Sequence, residues 1–354
     1  MWKNSPVHLE DLKSIISDDS IPWHDLDGKT ILVTGATGLI GSNIINTLLY
    51  YGEKTDSPSH ILAVVRNKEK ADRLFSEQLD EHRGNLSFVI GDVCEPIQIS
   101  GPIDYIIHAA SETASKSFVA YPVEIIRTSI AGTWNMLELA REKNVKAFLY
   151  LSSMEAYGSP HGDTPLAEDS PAYFSSTSVR NCYPESKRMC EMLASSFAAE
   201  YDVPAKLIRL AQTFGPGVAK DDLRVFAYFA RQAVVGEDIV LATKGESKRM
   251  YLYTADAVRA IFAVLLKGKA GQCYNAANPV TYCSILEMAK LVSQLFSNAK
   301  TKIVFSEDPH NATKYPLAHD LNLDINKLES LGWHPSVSLS DMYIRMVAEM
   351  EIDI

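Results

Sequence analysis

A glycine-rich segment, TGATGLIG at residues 34–41, follows directly on the apolar run ILV at residues 31–33. The apolar run predicts a buried strand, and the glycines predict a turn that opens a helix. A dinucleotide pyrophosphate binds to backbone N–H groups at a helix N-terminus, where a side chain would block its approach. We therefore expect Gly35 to permit the tight turn, Gly38 to admit the diphosphate, and Gly41 to let the helix lie close to the strand. The predicted cofactor site comprises the turn and the first helical residues: Gly35, Thr37, Gly38, Leu39, Ile40 and Gly41.

Strands and helices then alternate along the chain. Apolar runs predict further strands at residues 61–65, 86–90, 104–107 and 147–151, and a helix is predicted over residues 129–143. This regular alternation indicates a doubly wound parallel sheet, that is, a Rossmann-type α/β fold. Because ligands in such sheets bind at the carboxyl ends of the strands, the loops after these strands should line one crevice.

The length of 354 residues predicts about two domains. We expect an N-terminal amphipathic helical extension over residues 1–27, with apolar residues at helical spacing from Leu9 to Ile16. A dinucleotide-binding domain that carries the catalytic residues should cover residues 28–214. Residues 215–354 should form most of a smaller mixed α/β lobe that binds substrate, closes over the crevice and returns some segments to the first domain. The elements predicted in this lobe are a strand at 239–241 and helices at 225–235, 285–296 and 339–350.

Composition and charge exclude several functions. The formal charge of −10 argues against a nucleic-acid-binding protein, which would carry a basic face. No run of about 18 apolar residues is present, and the N-terminal residues lack the apolar core of a signal peptide, so we expect a cytoplasmic protein without a membrane span. The five cysteines are scattered and form no CxxC pair, which predicts reduced thiols and no metal site.

Residues after the next predicted strands extend the cofactor site. An acidic residue after the second strand binds the ribose 2′-OH of NAD, whereas an arginine accommodates the 2′-phosphate of NADP. Arg66 occupies this place and favours NADP, with an exposed loop arginine as the alternative. Asp92 should meet the adenine edge, and His108 should pack as a structural histidine before small residues that admit the cofactor. The predicted cofactor residues in these loops are Arg66, Asp92, Val93, His108, Ala109 and Ala110.

Two further segments carry catalytic chemistry: SSMEAYG at residues 152–158 and YPESK at residues 183–187. Tyr183 and Lys187 are four residues apart, so both side chains project from one helical face. A tyrosine with an unperturbed pKa of about 10 is a poor base at neutral pH. We expect the Lys187 ammonium to stabilise the phenolate and lower that pKa, while Ser153 shares the substrate hydroxyl proton.

With its GxxGxxG spacing, the chain resembles the extended short-chain dehydrogenase/reductases, specifically their nucleotide-sugar epimerase/dehydratase/decarboxylase branch. The resemblance extends from about Lys29 to Met350. It is carried by these motifs: TGATGLIG at 34–41, GDV at 91–93, HAA at 108–110, SS at 152–153 before YG at 157–158, Tyr183 with Lys187, RL at 209–210 before FGP at 214–216, and KR at 248–249 before YLY at 251–253 and Asp256.

The resemblance implies a tightly bound NAD(P) and a first step in which the sugar C4 hydroxyl is oxidised. Tyr183 would take the hydroxyl proton while hydride passes to the nicotinamide, and Lys187 would also bind the nicotinamide ribose. Arg224 and Arg249 would hold the sugar-nucleotide diphosphate, with exposed surface arginines as the alternative. The implied substrate-binding residues are Ser111, Gln212, Arg224, Arg249 and Tyr274.

The residues after Ser153 bear on which reaction follows. In the 4,6-dehydratases of this family, a hydroxyl residue is followed by Asp and Glu, and the Asp protonates the departing C6 hydroxyl. Here Met154 replaces the Asp, and a thioether cannot donate a proton. Glu155 disfavours simple 4-epimerases, which generally lack it, unless it is a structural glutamate. The predicted catalytic residues are Ser153, Glu155, Tyr183 and Lys187.

The segment RNCYPESKR at residues 180–188 resembles the Arg-x-Cys-Tyr-x-Glu-x-Lys-Arg segment of UDP-glucuronate decarboxylases. In those enzymes C4 oxidation produces a β-keto acid, which loses CO₂ without an acid at the Met154 position. Arg66, Gln212 and Gly217 depart from that subfamily and leave the cofactor and the sugar open. We rank decarboxylation of UDP-glucuronate first, sugar 4-epimerisation second, and a dehydration with Glu155 as base third.

A different class of function is a non-catalytic dinucleotide sensor on the same fold. Such a protein is expected to lack the tyrosine or the lysine, and both Tyr183 and Lys187 are present. By the resemblance, the helices that follow Ser129 and Tyr183 form a four-helix dimer interface, so we predict a homodimer. The predicted small-molecule partner is a nucleotide sugar, with UDP-sugars first, and no nucleic-acid or membrane partner is expected.

Overall fold

The computed structural model describes residues 5–350 except 82–83, 114, 161, 163, 176, 298–299 and 307–318. Its strands are Thr30–Thr34 (β1), His60–Val65 (β2), Leu86–Ile90 (β3), Tyr105–His108 (β4), Ala147–Ser153 (β5), Ala205–Leu210 (β6), Gln212–Phe214 (β7), Ile239–Leu241 (β8), Lys248–Tyr253 (β9), Cys273–Ala276 (β10), Asn278–Ser284 (β11), Ile303–Phe305 (β12) and Asp320–Leu321 (β13). Its α-helices are Pro6–Ile16 (α1), Leu39–Gly52 (α2), Lys68–Leu74 (α3), Ser76–Glu81 (α4), Ser115–Ala120 (α5), Pro122–Lys143 (α6), Cys182–Tyr201 (α7), Val225–Val235 (α8), Thr254–Lys267 (α9), Ile285–Ser297 (α10), Asn326–Glu329 (α11) and Leu339–Glu349 (α12). Within these described ranges, no helix is both long and apolar enough to span a bilayer.

Seven parallel strands form the main sheet, in the order β10-β6-β5-β4-β1-β2-β3. The central strands are buried on both faces, which explains their continuous apolar sequences. The strand order reverses at β1, because β2 pairs with one edge of β1 and β4 pairs with the other. Doubly wound sheets bind ligands at such a switch point. The predicted Rossmann-type sheet is confirmed, and its crevice lies at the carboxyl ends of β1 and β4.

A second sheet lies in the C-terminal half of the chain. It has the order β11-β9-β13, with β7 also paired to β9, and β8 pairs separately with β12. Strand β7 precedes the predicted boundary after residue 214 but belongs to this second sheet, whereas β10 follows the boundary and completes the main sheet. Segments from both sides of that boundary therefore exchange between the two sheets.

The N-terminal helix α1 packs against α2, α9 and α12. Leu12 and Ile15 are buried on its inner face, as expected for an amphipathic helix. Its buried Asp11 accepts a hydrogen bond from the Tyr253 hydroxyl (2.6 Å) and pairs with Arg345 (2.7 Å). Helix α1 therefore connects strand β9 of the second sheet to the last helix.

Candidate active site

The glycine turn lies at the switch point and leaves no room for side chains. Gly35 has a left-handed φ of +65°, and a Cβ built on it would lie 2.5 Å from the Ala109 carbonyl oxygen. A Cβ on Gly41 would lie 2.2 Å from the Gly35 carbonyl oxygen. Helix α2, which is described throughout, begins after Gly38 with no side-chain cap and no acidic residue in its first turn, so its N–H groups are free to bind a phosphate. The cradle fits a dinucleotide, and three further predicted residues flank it half-buried: Thr37, Leu39 and Ile40.

Thr34 connects the glycine turn to strand β4, although no sequence motif singles it out for this role. Its hydroxyl accepts hydrogen bonds from the N–H groups of Ala109 and Ala110, both at 3.1 Å, and lies 2.7 Å from His108 Nδ1. Because the two N–H groups occupy both lone pairs of the Thr34 oxygen, the hydroxyl donates its single proton to Nδ1. The neutral imidazole then carries its own proton on Nε2. Burial and, to a smaller extent, the charge of Lys187 lower the pKa of His108 to about 3. His108 is therefore a neutral, packed histidine that fixes the backbone facing the glycine turn.

Arg66 and Asp92 lie close together, because they follow the paired strands β2 and β3. Arg66 is exposed, and Asp92 is half-buried. The Cys94 N–H donates to Asp92 Oδ1 (2.9 Å) and lowers the pKa of that carboxyl, and the charge of Arg66 acts in the same direction. Val93 is buried. These side chains lie where the adenosine end of the predicted cofactor would bind.

Ser153, Tyr183 and Lys187 come together at the carboxyl end of β5. Ser153 ends β5, and the other two side chains lie in the first turns of α7. The Lys187 ammonium donates to the Leu151 carbonyl oxygen (2.7 Å) and lies 5.7 Å from the centre of the Tyr183 ring. Burial lowers the pKa of Lys187 to about 8. The structure thus brings the predicted catalytic residues together, while their catalytic roles remain predictions.

The environment of Tyr183 differs from the expectation in one respect. Burial raises the pKa of its phenol, and the charge of Glu155 adds to the increase. A hydrogen bond with Ser153 and the charge of Arg224 act in the opposite direction but do not prevail. The expected decrease caused by Lys187 is not realised, because its ammonium donates to a backbone carbonyl and desolvation of the phenolate is the larger effect. Tyr183 is therefore a protonated phenol at neutral pH in this structure.

The residues after Ser153 form a single 3₁₀ turn, Met154–Tyr157. Met154 is buried in the main hydrophobic core. Glu155 is half-buried, and its N–H donates to Ser153 Oγ (3.2 Å). The turn therefore brings one carboxylate close to Tyr183, and position 154 offers no proton donor.

The two arginines expected to hold a diphosphate have different surroundings. Arg224 precedes α8 and pairs with Asp222, with 2.5 Å between Nη2 and Oδ2. Its charge acts to lower the pKa of Tyr183. Arg249 lies on β9, and its buried Nε has no hydrogen-bond partner among the described residues. Arg249 therefore has a donor available to a phosphate, whereas Arg224 must share or leave Asp222 to bind one.

The remaining predicted substrate residues are divided between the two sheets. Ser111 follows β4 and Gln212 begins β7, and both are half-buried. Tyr274, in contrast, is buried, and its hydroxyl accepts a hydrogen bond from the Lys269 N–H (3.0 Å). Lys269 belongs to the turn that leads into the amino end of β10, opposite the crevice. Tyr274 therefore packs away from the crevice in this structure, and its contact with substrate stays a prediction.

Glu191 is a residue of this site that the sequence motifs do not reveal. It accepts a hydrogen bond from the Ser152 hydroxyl (2.5 Å), and Arg209 binds its two carboxylate oxygens at 2.9 and 2.6 Å. The ion pair is almost fully buried beneath the catalytic residues. Glu191 follows Lys187 by four residues on one helical face, and that spacing is the only signal by which the sequence could have suggested it.

Comparison with known proteins identifies relatives. Residues 31–277 match the model of the NAD dependent epimerase/dehydratase family. UDP-glucuronic acid decarboxylase 1 of Xenopus tropicalis is 30% identical over 319 residues, which cover 89% of this chain and 70% of that protein. UDP-glucuronic acid decarboxylase 3 of Arabidopsis thaliana is 32% identical, and the match covers 88% of this chain and 86% of that protein.

A solved structure shows the same fold. The UDP-glucuronic acid 4-epimerase of Bacillus cereus, in complex with UDP-glucuronic acid and NAD, superposes with a TM-score of 0.74 at 20% identity. The match covers 90% of this chain and 98% of the epimerase chain. The predicted family resemblance is confirmed by these matches. The chain therefore belongs to the NAD dependent epimerase/dehydratase family.

Proposed function

We propose that the protein is an NAD(P)-dependent enzyme that modifies a nucleotide sugar through transient oxidation at C4, with decarboxylation of UDP-glucuronate as its reaction. The observation that supports this most directly is the cluster of Ser153, Tyr183 and Lys187, in which the Lys187 ammonium lies 5.7 Å from the centre of the Tyr183 ring, at the same edge of the sheet as the glycine turn. These groups suit removal of a proton from a secondary hydroxyl. Similarity to two UDP-glucuronic acid decarboxylases supports the choice of substrate.

In this mechanism the bound dinucleotide supplies the hydride acceptor. The glycine turn would hold its pyrophosphate, and Lys187 its nicotinamide ribose. Tyr183 would accept the C4 hydroxyl proton, and Ser153 would hydrogen-bond the same oxygen. Because burial disfavours the phenolate, a cation close to the ring would assist this step: among the described residues, the charge of Arg224 lowers the pKa of Tyr183, and the Lys187 ammonium lies 5.7 Å from the ring centre.

The choice of decarboxylation rests on the chemistry of position 154. A 4-keto sugar with a carboxylate on C5 is a β-keto acid. The bond from C5 to the carboxylate breaks, its electron pair enters the enolate of the ketone, CO₂ leaves, and C5 is then protonated. Return of the hydride to C4, with Tyr183 giving its proton back to the C4 oxygen, would complete the UDP-pentose and leave the dinucleotide oxidised again. No acid is needed at position 154, where Met154 is buried and cannot donate a proton. Dehydration at C6, in contrast, needs an acid for the departing hydroxyl.

Two arginines are candidates for binding phosphate groups of the substrate and of the cofactor. We propose that Arg249 binds the diphosphate of the sugar nucleotide, because its buried Nε lacks a partner among the described residues. We also propose that the 2′-phosphate of NADP is accepted beside Arg66, although the neighbouring carboxylate of Asp92 would oppose a second negative charge there. Parallel assays with NAD⁺ and NADP⁺ decide between the two dinucleotides.

We further propose a homodimer that works in a reducing compartment such as the cytoplasm. The five cysteines are free thiols, which suits such a compartment. Helices α6 and α7 pack against each other and expose apolar side chains, which supports a dimer formed through these helices.

The test is incubation of the purified protein with UDP-glucuronate and NAD⁺ or NADP⁺, followed by proton NMR of the products. We expect a UDP-pentose. Tyr183→Phe keeps the ring and removes the hydroxyl, so it should lower the rate at least about 100-fold while the protein stays folded. A UDP-galacturonate product would instead identify a 4-epimerase, and no product with either dinucleotide would reject UDP-glucuronate as the substrate.

A further inference from the structure

Phe118, in the short helix α5, stacks on the ring of Tyr183. The two ring centres are 4.5 Å apart, and the ring planes differ by 8°. Phe118 is 2% exposed and Tyr183 6%, so the phenylalanine covers one face of the tyrosine. Helix α5 lies between β4 and α6, outside the glycine turn and outside both catalytic segments. The stacking of Phe118 on Tyr183 is therefore seen only in the fold, and no sequence motif predicts it.

Phe118 is itself held by the residues that precede Tyr183. The Arg180 guanidinium carbon lies 5.0 Å from the centre of the Phe118 ring. The Cys182 thiol donates to the Phe118 carbonyl oxygen (3.3 Å). Ile125 completes a buried cluster with Phe118, Cys182 and Tyr183. The phenylalanine ring is thus fixed relative to the start of α7, the element that carries Tyr183.

We propose that Phe118 is a positioning residue for Tyr183: its ring holds the phenol in the orientation from which the hydroxyl reaches Ser153 and the substrate oxygen. Rotation of the phenol about its Cα–Cβ or Cβ–Cγ bond moves the hydroxyl or turns the ring out of the stack, and a parallel ring in van der Waals contact opposes both motions. Proton transfer requires hydrogen-bond distance, and a displacement of about 1 Å can lower a rate about 100-fold. The inference rests on the proposed role of Tyr183 as proton acceptor.

The experiment compares Phe118→Leu, which removes the ring, with Phe118→Tyr, which keeps it. Phe75→Leu is the matched control, because Phe75 is also fully buried against an aromatic ring, that of Phe88 at 6.0 Å, in the region of α3. Thermal melting monitors folding of each variant. If Phe118→Leu does not fold, Phe118→Met replaces it, since methionine fills a similar volume without a planar ring.

The first readout needs no substrate. Each protein is treated with tetranitromethane, and mass spectrometry measures nitration of the tryptic peptide 181–187, in which Tyr183 is the only tyrosine. We expect several-fold faster nitration of Tyr183 in Phe118→Leu, because reagent and water reach the uncovered ring face. Phe118→Tyr and Phe75→Leu should react at the wild-type rate. Unchanged nitration in Phe118→Leu would overturn the proposal.

The second readout separates positioning from general damage to the fold. With the nucleotide sugar that the protein converts, Phe118→Leu should lower kcat about tenfold with KM changed less than about twofold, and Phe118→Tyr should retain wild-type kcat. Equal losses in Phe118→Leu and Phe118→Tyr, or in Phe118→Leu and Phe75→Leu, would overturn the proposal. If no variant and no wild-type protein converts UDP-glucuronate, the proposed function fails, whereas the nitration rates still decide whether Phe118 holds Tyr183.

Discussion

Glu191 is the buried carboxylate beneath the catalytic residues. Arg209 binds both of its oxygens, and each of the two side chains is only 11% exposed. We expect Glu191→Gln to lower the free energy of unfolding by about 3–5 kcal/mol, because the Arg209 charge would stay buried without its partner. Denaturant-induced unfolding of the two proteins measures this difference.

Glu185→Gln on the same helix is the control for that substitution. Glu185 pairs with Arg188 at 3.7 Å, and both side chains are more than a third exposed. Exposed pairs contribute less than about 1 kcal/mol, so Glu185→Gln should leave the free energy of unfolding nearly unchanged. Equal effects of the two substitutions would contradict the importance assigned to the buried pair.

Lys187 makes the stability of the protein depend on pH in the alkaline range. Burial lowers its pKa in the folded protein from 10.5 to about 8. At a pH between these two pKa values the Lys187 amine is protonated in the unfolded chain but largely neutral in the folded protein. The contribution of this group to the free energy of unfolding therefore increases as the pH rises. The wild type should therefore gain stability relative to Lys187→Met between pH 8 and 10.5, as measured by unfolding across that range. Lys206 makes a similar contribution in both proteins, so it cancels when their free energies of unfolding are subtracted. If the two free energies changed in parallel with pH, Lys187 would not be desolvated in the folded protein.

At the scale of strands and helices, apolar runs predict β1 to β5 within two residues at each end. Strand β6 is not predicted by an apolar run, because Lys206 and Arg209 interrupt its apolar residues. In the fold Lys206 donates to the Leu265 carbonyl oxygen (2.5 Å) and Arg209 binds Glu191, so both charges are satisfied inside. Helix α9 is not predicted either, and in the fold its residues are buried around nearly the whole circumference.

The crossing of α2 over β1 depends on Gly41, because a Cβ there would overlap the Gly35 carbonyl oxygen at 2.2 Å. Backbone atoms of a tight turn cannot move aside as a flexible side chain can. We expect Gly41→Ala to displace the helix N-terminus, lower the melting temperature and abolish binding of the dinucleotide pyrophosphate. Calorimetric titration with NAD⁺ and the dinucleotide content of the purified protein measure binding. Ser42→Ala, which changes the next residue of the same helix, should bind NAD⁺ normally, and normal binding by Gly41→Ala would refute the predicted role of the turn.

At the scale of the whole molecule, the sequence could indicate those site residues that follow strands of one parallel sheet, since such strands end at a common edge. Spacing along the chain does not show which side chains meet across the fold. Thr34, Phe118 and Glu191 belong to this second class, because each makes a contact that joins two separate elements. These contacts are Thr34 with Ala109 after β4, Phe118 of α5 with Tyr183 of α7, and Glu191 of α7 with Ser152 of β5. Tyr274 is the opposite case, because the sequence suggests it as a site residue but its hydroxyl contacts Lys269, opposite the crevice. Successive side chains of a strand alternate in direction, so a place on a strand of the sheet does not by itself put a side chain in the crevice.

The proposed homodimer rests on an exposed apolar face of the two longest helices of the main domain. Five side chains of α6 and α7 are between 41% and 71% exposed: Val123, Ile126, Trp134, Met189 and Met192. The spacing of Val123 and Ile126, and of Met189 and Met192, puts each pair on one helical face. Because α6 and α7 pack side by side, the exposed residues form a surface that a second copy of the chain could cover.

Light scattering should therefore give a mass twice the chain mass of 39.2 kDa. The double variant Ile126→Glu with Met192→Glu should be a monomer, because a dimer would bury unpaired carboxylates in an apolar interface. Val280→Glu is the control: Val280 is 80% exposed on β11, away from both helices, and its variant should remain a dimer. A wild-type protein that is monomeric at micromolar concentration, or a double variant that keeps the doubled mass, would show that these helices do not form the interface. The apolar face would then belong to a contact with a different partner.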